Sequence, residues 1–380
     1  MRFTRLRLQN WRNFRSVDVP LGERVFVVGP NAAGKSNLLD ALRFLRDVAE
    51  PHGGLARAIA HPARRGVRQI RSLHARRNSS VEIEVEVLLA NEVRWSYALA
   101  FKRDEKRPFF VEKEIVRCGG ETRLARPDEE DRRDPARLTQ SHLEQVSRNH
   151  EFRELAEFLG SVRYLHVIPQ LIREPERSVA RERDPYGSDF LEQLALTPKR
   201  SQESRLRKIS DALRVAVPQL KELKLLRDAA TGTPHLQGLY EHWRPEAGWQ
   251  TEEQFSDGTL RLLGLLWSFL DGAAPLLLEE PELSLHSAVV QHIPQMLHRL
   301  NRRRHRQVLL TTHSRDILSD EGIGAEEVLL LEPTKDGTQV QVAADDRRIR
   351  DLLENGLPLA EVIVPRTSPE DAGQLTLFDL

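Results

Sequence analysis

The sequence predicts an α/β fold built on a phosphate-binding loop, made discontinuous by an antiparallel β subdomain and an inserted helical lobe. Three observations carry this. Gly29-Pro30-Asn31-Ala32-Ala33-Gly34-Lys35-Ser36 follows directly on the apolar run Val25-Phe26-Val27-Val28, the strand–loop–helix setting that G-x-x-x-x-G-K-S requires. After residue 255 the α/β texture returns, with apolar strands ending in Glu279-Glu280 and at His313. Between the two blocks the chain first alternates like antiparallel strands and then turns helical.

The elements follow in order. Residues 2–9 and 16–28 read as strands leading to the loop, and 37–49 continues as a helix. Pro51-His52-Gly53-Gly54 is a break. Residues 57–77 hold seven arginines (57, 64, 65, 68, 71, 76 and 77) and no acid. Val81–Leu89 and Val93–Phe101 alternate around Ala90-Asn91-Glu92, a hairpin. Phe109–Arg117 is another strand, ended by Gly119-Gly120, and the charge-rich 122–137 reads as a loop. Residues 138–160 and 188–196 read as helical. Leu206, Ile209, Leu213 and Val217 mark one helical face, stopped by Pro218. Lys221–Arg227 and His235–Trp243 form a second hairpin across Thr231-Gly232-Thr233-Pro234.

Leu260–Leu270 is apolar nearly all round, hence a buried helix. Pro275–Leu278 and Gln307–Thr311 are short buried strands, and Ser287–Leu300 is an amphipathic helix between them. No heptad run persists, so no long coiled coil is expected. Because the later motifs complete the first, the expected core is residues 1–50 plus 255–345. An arginine-rich loop with an antiparallel β subdomain occupies 51–137, a helical lobe with a β-hairpin 138–254, and a C-terminal extension with a flexible tail 346–380.

Composition narrows the class. The 380 residues suggest two or three domain-sized units, and 39% hydrophobic with 30% charged residues describes a soluble globular chain. Net charge is zero, so any nucleic-acid binding must come from local patches. The single Cys118 excludes an internal disulfide and fits a reducing cytoplasm. No run of about 18 apolar residues exists, so no membrane span is expected. The first residues alternate charge and bulk like a strand, without a secretory leader.

The motifs have a legible chemistry. Loop N–H groups wrap β- and γ-phosphates, Lys35 supplies charge to their oxygens, and the Ser36 hydroxyl ligates Mg²⁺. Gly29 and Gly34 permit backbone angles and close phosphate approach that a Cβ would block. Leu276-Leu277-Leu278-Glu279-Glu280 is a buried strand ending in carboxylates. One acid can hold Mg²⁺ and the next can polarise an attacking water. His313, after a second buried strand, can reach a γ-phosphate. Ser256 caps the apolar helix, or binds a phosphate at its start.

These residues, in this order, resemble ABC-type ATPases: a Walker A loop, a late Ser-x-Gly element before a helix, an acidic Walker B strand and a Thr-His-Ser switch. Asn10-Trp11-Arg12-Asn13-Phe14-Arg15 and the Asn31 loop resemble the RecF/SMC/OLD branch rather than transporters. Ser256-Asp257-Gly258-Thr259 and Glu279-Glu280-Pro281-Glu282-Leu283-Ser284-Leu285-His286 look most like prokaryotic RecF-like "AAA family" ATPases of genome-defence or DNA-repair loci. The resemblance covers residues 1–45 and 255–320, and implies an ABC/RecF-like P-loop NTPase using ATP and Mg²⁺. It puts Arg12, Asn13, Asn31, Ala33, Gly34, Lys35, Ser36 and Asn37 on the nucleotide. Ser256 and Gly258 would contact the γ-phosphate held by a second protomer, Glu280 would be the catalytic glutamate, Ser284 part of the D-loop and His313 the switch. Gln170, in Tyr164-Leu165-His166-Val167-Ile168-Pro169-Gln170, looks like the Q-loop contact, joining Ser36 and Glu279 at the metal. Two departures stand out: Glu279 replaces the usual Asp, and Asp257 the usual Gly.

The resemblance implies an ATP-driven homo-dimer or higher homo-oligomer that controls a separately encoded nuclease or effector, without a Toprim nuclease domain of its own. Competing readings are a RecF-like repair factor binding DNA through residues 57–77, and a slow ATP sensor. A transporter motor is disfavoured by the absent membrane segment. Residues 365–373 read as a tether, and Gln374-Leu375-Thr376-Leu377-Phe378 resembles the pentapeptide by which many bacterial proteins bind the replication sliding clamp.

Overall fold

The chain's first 28 residues supply strands to two different sheets. A computed structural model describes residues 1–76, 78–174, 184–244 and 248–368. The chain divides into two units. The first comprises residues 1–163, 274–277 and 294–380, and the second residues 164–273 and 278–293.

In the first unit, an antiparallel sheet has the order β2 (Phe14–Pro20), β1 (Arg2–Trp11), β4 (Val81–Leu88), β5 (Arg94–Lys102), β6 (Phe110–Cys118) and β7 (Glu121–Arg126). Its faces follow the period of two. Val81, Ile83, Val85 and Val87 are buried, while Glu82, Glu84 and Glu86 stand on the other face and pair with Lys113 and Arg7. The other six-stranded sheet has the order β15 (Gly337–Val342), β14 (Val328–Thr334), β3 (Arg24–Val28), β13 (Val308–Thr312), β12 (Leu276–Glu279) and β8 (Arg163–Leu165). β8 and β12 leave the first unit after Arg163 and Leu277. β3 runs parallel to both β13 and β14, and all five of its residues are buried, as expected of parallel strands covered on both faces.

Helices of this unit are α1 (Lys35–Ala49), α2 (Leu55–Ala60), α3 (Val67–Ile70), α4 (Glu129–Arg133), α5 (Arg153–Ser161), α11 (Ile293–Arg304, from Pro294 onward), α12 (Arg315–Leu318), α13 (Arg347–Glu354) and α14 (Leu359–Thr367). The second unit holds α6 (Pro169–Arg173), α7 (Phe190–Leu196), α8 (Lys199–Ala216), α9 (Asp257–Leu270) and α10 (Ser287–Val290). Its sheet has the order β11 (Trp249–Thr251), β10 (Pro234–Tyr240) and β9 (Leu220–Arg227). Among the described residues no helix is long and apolar enough to cross a membrane.

Four expectations need correction. The stretch 16–28 is two strands: after β2, Leu21 donates its N–H to Thr4 O (2.9 Å) and the chain passes to the parallel sheet as β3. The expected loop 122–137 contains β7 and α4, because an edge strand paired on one side needs no apolar face and α4 carries its own capping box of Asp128 and Asp131. Residues 138–160 are helical only from Arg153 on, after short 3₁₀ turns. Upstream, the N–H groups of His142 (3.0 Å) and Leu143 (3.3 Å) donate to the buried Glu114 carboxylate rather than to helix carbonyls. The expected helix 287–300 is broken between α10 and α11. Pro294, which lacks an N–H and suits a first helical turn, sits at the start of the second piece. The sliding-clamp resemblance at Gln374–Phe378 lies outside the described residues.

Candidate phosphate-binding and catalytic residues

The phosphate loop lies wholly in the first unit. β3 delivers the chain to Gly29, where an added Cβ would lie 2.8 Å from Leu331 O on the neighbouring strand. Ala33 N–H donates to Pro30 O (3.2 Å), and Lys35 Nζ donates to Gly29 O (2.9 Å) and Pro30 O (3.2 Å). The loop is thus closed around its own lysine, which is 7% exposed. Gly34 caps α1 at φ 97°, a left-handed angle that glycine adopts without strain. Asn31 and Ser36 are exposed and Ala33 is buried.

The turn between β1 and β2 braces this loop. Asn13 Nδ2 donates to Ala33 O and to Thr338 Oγ1, each at 2.7 Å, and Asn13 Oδ1 accepts from Asn37 Nδ2 (2.8 Å). Trp11 Nε1 donates to Asn37 O (2.8 Å). A Cβ on Gly34 would lie 2.2 Å from Asn13 Nδ2. Asn13 and Asn37, expected on the nucleotide, are therefore partners of each other that fix the loop. Arg12 stands beside them at φ 55°. Its guanidinium donates to Ala63 O (2.6 Å) and Gln69 O (3.3 Å) and pairs with Asp40 at 3.5 Å. Burial lowers its pKa, against the pull of Asp40.

His313 follows β13, whose last residue, Thr312, is in register with Val28. The exposed His313 thus follows one residue past the Thr312–Val28 pair, as Gly29, the first residue of the loop, does on the neighbouring strand. Ser314 then caps α12, its Oγ accepting from Ile317 N–H (3.4 Å).

The remaining predicted residues lie in the second unit. Tyr164 donates its hydroxyl proton to Glu279 Oε2. Glu280 follows at φ 43° and opens a turn in which Leu283 N–H donates to Glu280 O (3.2 Å) and Leu285 N–H to Glu282 O (3.1 Å). Ser256 caps α9, its Oγ accepting from Thr259 N–H (3.1 Å). Gly258 has no room for a side chain, since a Cβ would lie 2.6 Å from Ser284 O. Gln170 Nε2 donates to Asp257 Oδ2 (3.2 Å), and Arg173 pairs with Asp257 Oδ1 at 2.6 Å. Sequence reading gave Tyr164, the first residue of the Q-loop string, no role of its own, and missed Arg173. Asp257, which departs from the family pattern, was the signal that a nearby cation should exist.

The arginine-rich stretch is not one surface. Arg64 is 0% exposed. It donates to both Asp40 carboxylate oxygens, to Asp47 Oδ2 (2.7 Å) and to Ala58 O (2.9 Å). Arg71 donates to Asn78 O (2.9 Å) and Arg76 O (2.7 Å), whereas Arg65 and Arg68 are exposed.

Comparison with solved structures finds SMC heads. One, described as an SmcHead bound to the C-winged helix domain of ScpA, superposes with a TM-score of 0.57 at 12% identity, over 90% of this chain and 97% of that one. An Smc head with an extended coiled coil, bound to the C-terminal domain of ScpA and derived from Pyrococcus furiosus, gives 0.52 at 10% identity over 93% and 99%. An Smc head with a coiled coil and joint from Pyrococcus yayanosii gives 0.51 at 12% over 92% and 99%. At such identities the likeness is one of fold, an SMC-head-like P-loop ATPase domain. No curated protein matches the chain. Residues 24–320 match the family described as "AAA domain, putative AbiEii toxin, Type IV TA system", and the chain belongs to that family.

Proposed function

We propose that this chain is an ATP-driven switch: it binds ATP with Mg²⁺, hydrolyses it, and uses the cycle to close and open a homodimer that controls a separately encoded nuclease or effector. The observation that carries the reading is the loop Gly29–Ser36 closed on its own lysine, with His313 one residue past the paired end of the neighbouring strand. Phosphate oxygens would take over Lys35 from the carbonyls of Gly29 and Pro30. The first N–H groups of α1, which have no intrahelical acceptor, favour an anion at the same end. The exposed Ser36 hydroxyl suits a hard cation; Glu279 and Gln170 are assigned as further oxygen donors on the motif resemblance alone. Bound Mg²⁺ would neutralise charge on the β- and γ-oxygens.

Glu280 is assigned the water-polarising base, Glu279 being engaged by Tyr164. His313 is assigned the γ-phosphate contact. Ser256 and Gly258, at the start of α9, are assigned to the nucleotide of a partner protomer, which would supply the difference in affinity between closed and open states. Lys35→Ala is expected to abolish ATP binding, while Glu280→Gln retains binding and stops hydrolysis, since Lys35 acts on phosphate charge and Glu280 only on water. Nucleotide binding by equilibrium fluorescence and phosphate release measure the two steps. Wild-type hydrolysis by Glu280→Gln would move the base to Glu279.

A further inference from the structure

Arg261 lies one turn after Asp257 on α9 and is 7% exposed, yet its Nε and Nη1 are buried without a hydrogen-bond partner. It lines a small apolar cleft with Val167, Leu265, Leu278, Glu279 and Pro281. A buried guanidinium with unmade bonds is costly and calls for a physical reason. Burial lowers its pKa, against the pull of Asp257, Glu282 and Glu280. Asp257 accepts from Arg173 and Gln170, and the other acids whose charge acts on Arg261 are Glu282 and Glu280, in the turn after β12.

The turn carrying those acids rests on the same helix. Gly258 meets Ser284 O so closely that no Cβ fits. Glu280 and Ser284 both hold positive φ, 43° and 61°, strained angles that a non-glycine residue keeps only where the surroundings impose them. Glu282, two residues past Glu280, is itself 7% exposed.

We propose that Arg261 is a positioning residue that ties α9 to the Glu280 turn: in the nucleotide-closed state it pairs with Glu282 and so sets the orientation of Glu280. The inference rests on the assignment of Glu280 as the base. A shift of α9, driven by an anion at Ser256, then reaches the hydrolytic turn through one side chain. Binding at the phosphate loop does not involve this pair.

The test is steady-state ATP hydrolysis by the full chain, with nucleotide affinity and melting temperature measured alongside. The variants are Arg261→Met, Arg261→Lys, Glu282→Gln and the double variant Arg261→Met/Glu282→Gln. A misplaced reacting group costs up to about 100-fold, so kcat should fall about 10- to 100-fold in Arg261→Met and in Glu282→Gln. KM and nucleotide affinity should stay within about twofold, because the pair acts on the orientation of Glu280, which works on the attacking water and not on the bound phosphates. The double variant should be no slower than either single one, the signature of a coupled pair, and Arg261→Lys should recover part of kcat. Wild-type kcat in Arg261→Met, or losses that multiply in the double variant, would overturn the pair. So would a fall in kcat matched by equal losses of affinity and melting temperature. Absence of turnover in the wild-type protein would overturn the hydrolysis reading itself, and this inference with it. Turnover that is lost in Glu280→Gln but kept in Arg261→Met would overturn the role of Arg261 alone.

Discussion

Replacing Arg64 by alanine strips the shared counter-charge from two carboxylates on α1. The side chain is fully buried, with Nη2–Asp40 Oδ1 and Nη1–Asp47 Oδ2 both at 2.7 Å and its guanidinium 5.1 Å from the Phe44 ring centre. Breaking a buried pair from one side costs about 3–5 kcal/mol. Asp47 keeps Arg46 and Asp40 keeps Arg12, which argues for the lower end, about 3 kcal/mol. For a unit of this size that amounts to a melting temperature lowered by about 6–12 °C. The pH dependence has a sign. Burial opposes ionisation of Asp47, but Arg46, Arg64 and Arg43 outweigh it and hold the folded pKa below the ordinary 3.8. Stability from that carboxylate is present above the unfolded value and lost as pH falls through the folded one. The gap between wild type and Arg64→Ala is therefore full at neutral pH and narrows in acid below 3.8. Thermal unfolding followed by circular dichroism reads both. A variant that melts with the wild type at neutral pH, while losing affinity for DNA, would return Arg64 to a ligand-binding role.

Glu144 is pushed up to about 7 by burial, although it accepts from Leu55 N–H at 2.5 Å. A raised carboxyl pKa favours folding below the unfolded value of 4.5 and forfeits that advantage as pH rises toward 7. Glu144→Gln should accordingly match the wild type in melting temperature at acid pH and exceed it in mild alkali; equal melting throughout would refute this. ATP should drive Glu280→Gln to a dimer by light scattering, and Ser256→Ala should weaken that dimer; a mass that ignores both nucleotide and Ser256 removes the sandwich. Any DNA binding by residues 57–77 should lose affinity and salt slope in Arg65→Glu/Arg68→Glu, the exposed pair. Unchanged binding isotherms would assign these arginines to solvent or a protein partner.

What the sequence made legible was local. Gly29 to Ser36 identified itself by spacing, and β3, β12 and β13 by unbroken apolar runs. β4 and β5 were found by strict alternation, with β4 showing the burial period of two. What stayed hidden depended on partners distant in sequence. Nothing in the run of arginines at 57–77 marks Arg64 as the buried one; that follows from Asp40 and Asp47, seven residues apart on one face of α1. Residues 140–149 carry helix-forming side chains but spend backbone N–H groups on Glu114, a strand residue whose burial alternation alone does not reveal. β7 was missed because an edge strand needs no apolar face.

The β1–β2 turn shows how such long-range contacts bear on the site. Arg12 and Asn13 are adjacent, yet one reaches Asp40 and the other Ala33 O. Asp40 is in turn gripped by Arg64. The turn therefore joins the phosphate loop, the helix behind it and the arginine-rich segment through hydrogen bonds and ion pairs. Thr338, which donates its N–H to Asn13 O (2.9 Å), adds the β14–β15 hairpin to the same joint. Gly34 must lack a side chain here because Asn13 fills the space, not only because a phosphate needs access. The loop's geometry is consequently set from behind, by residues that need never touch a nucleotide. Changes in residues 57–71 can thus alter phosphate binding without any of their arginines meeting a ligand.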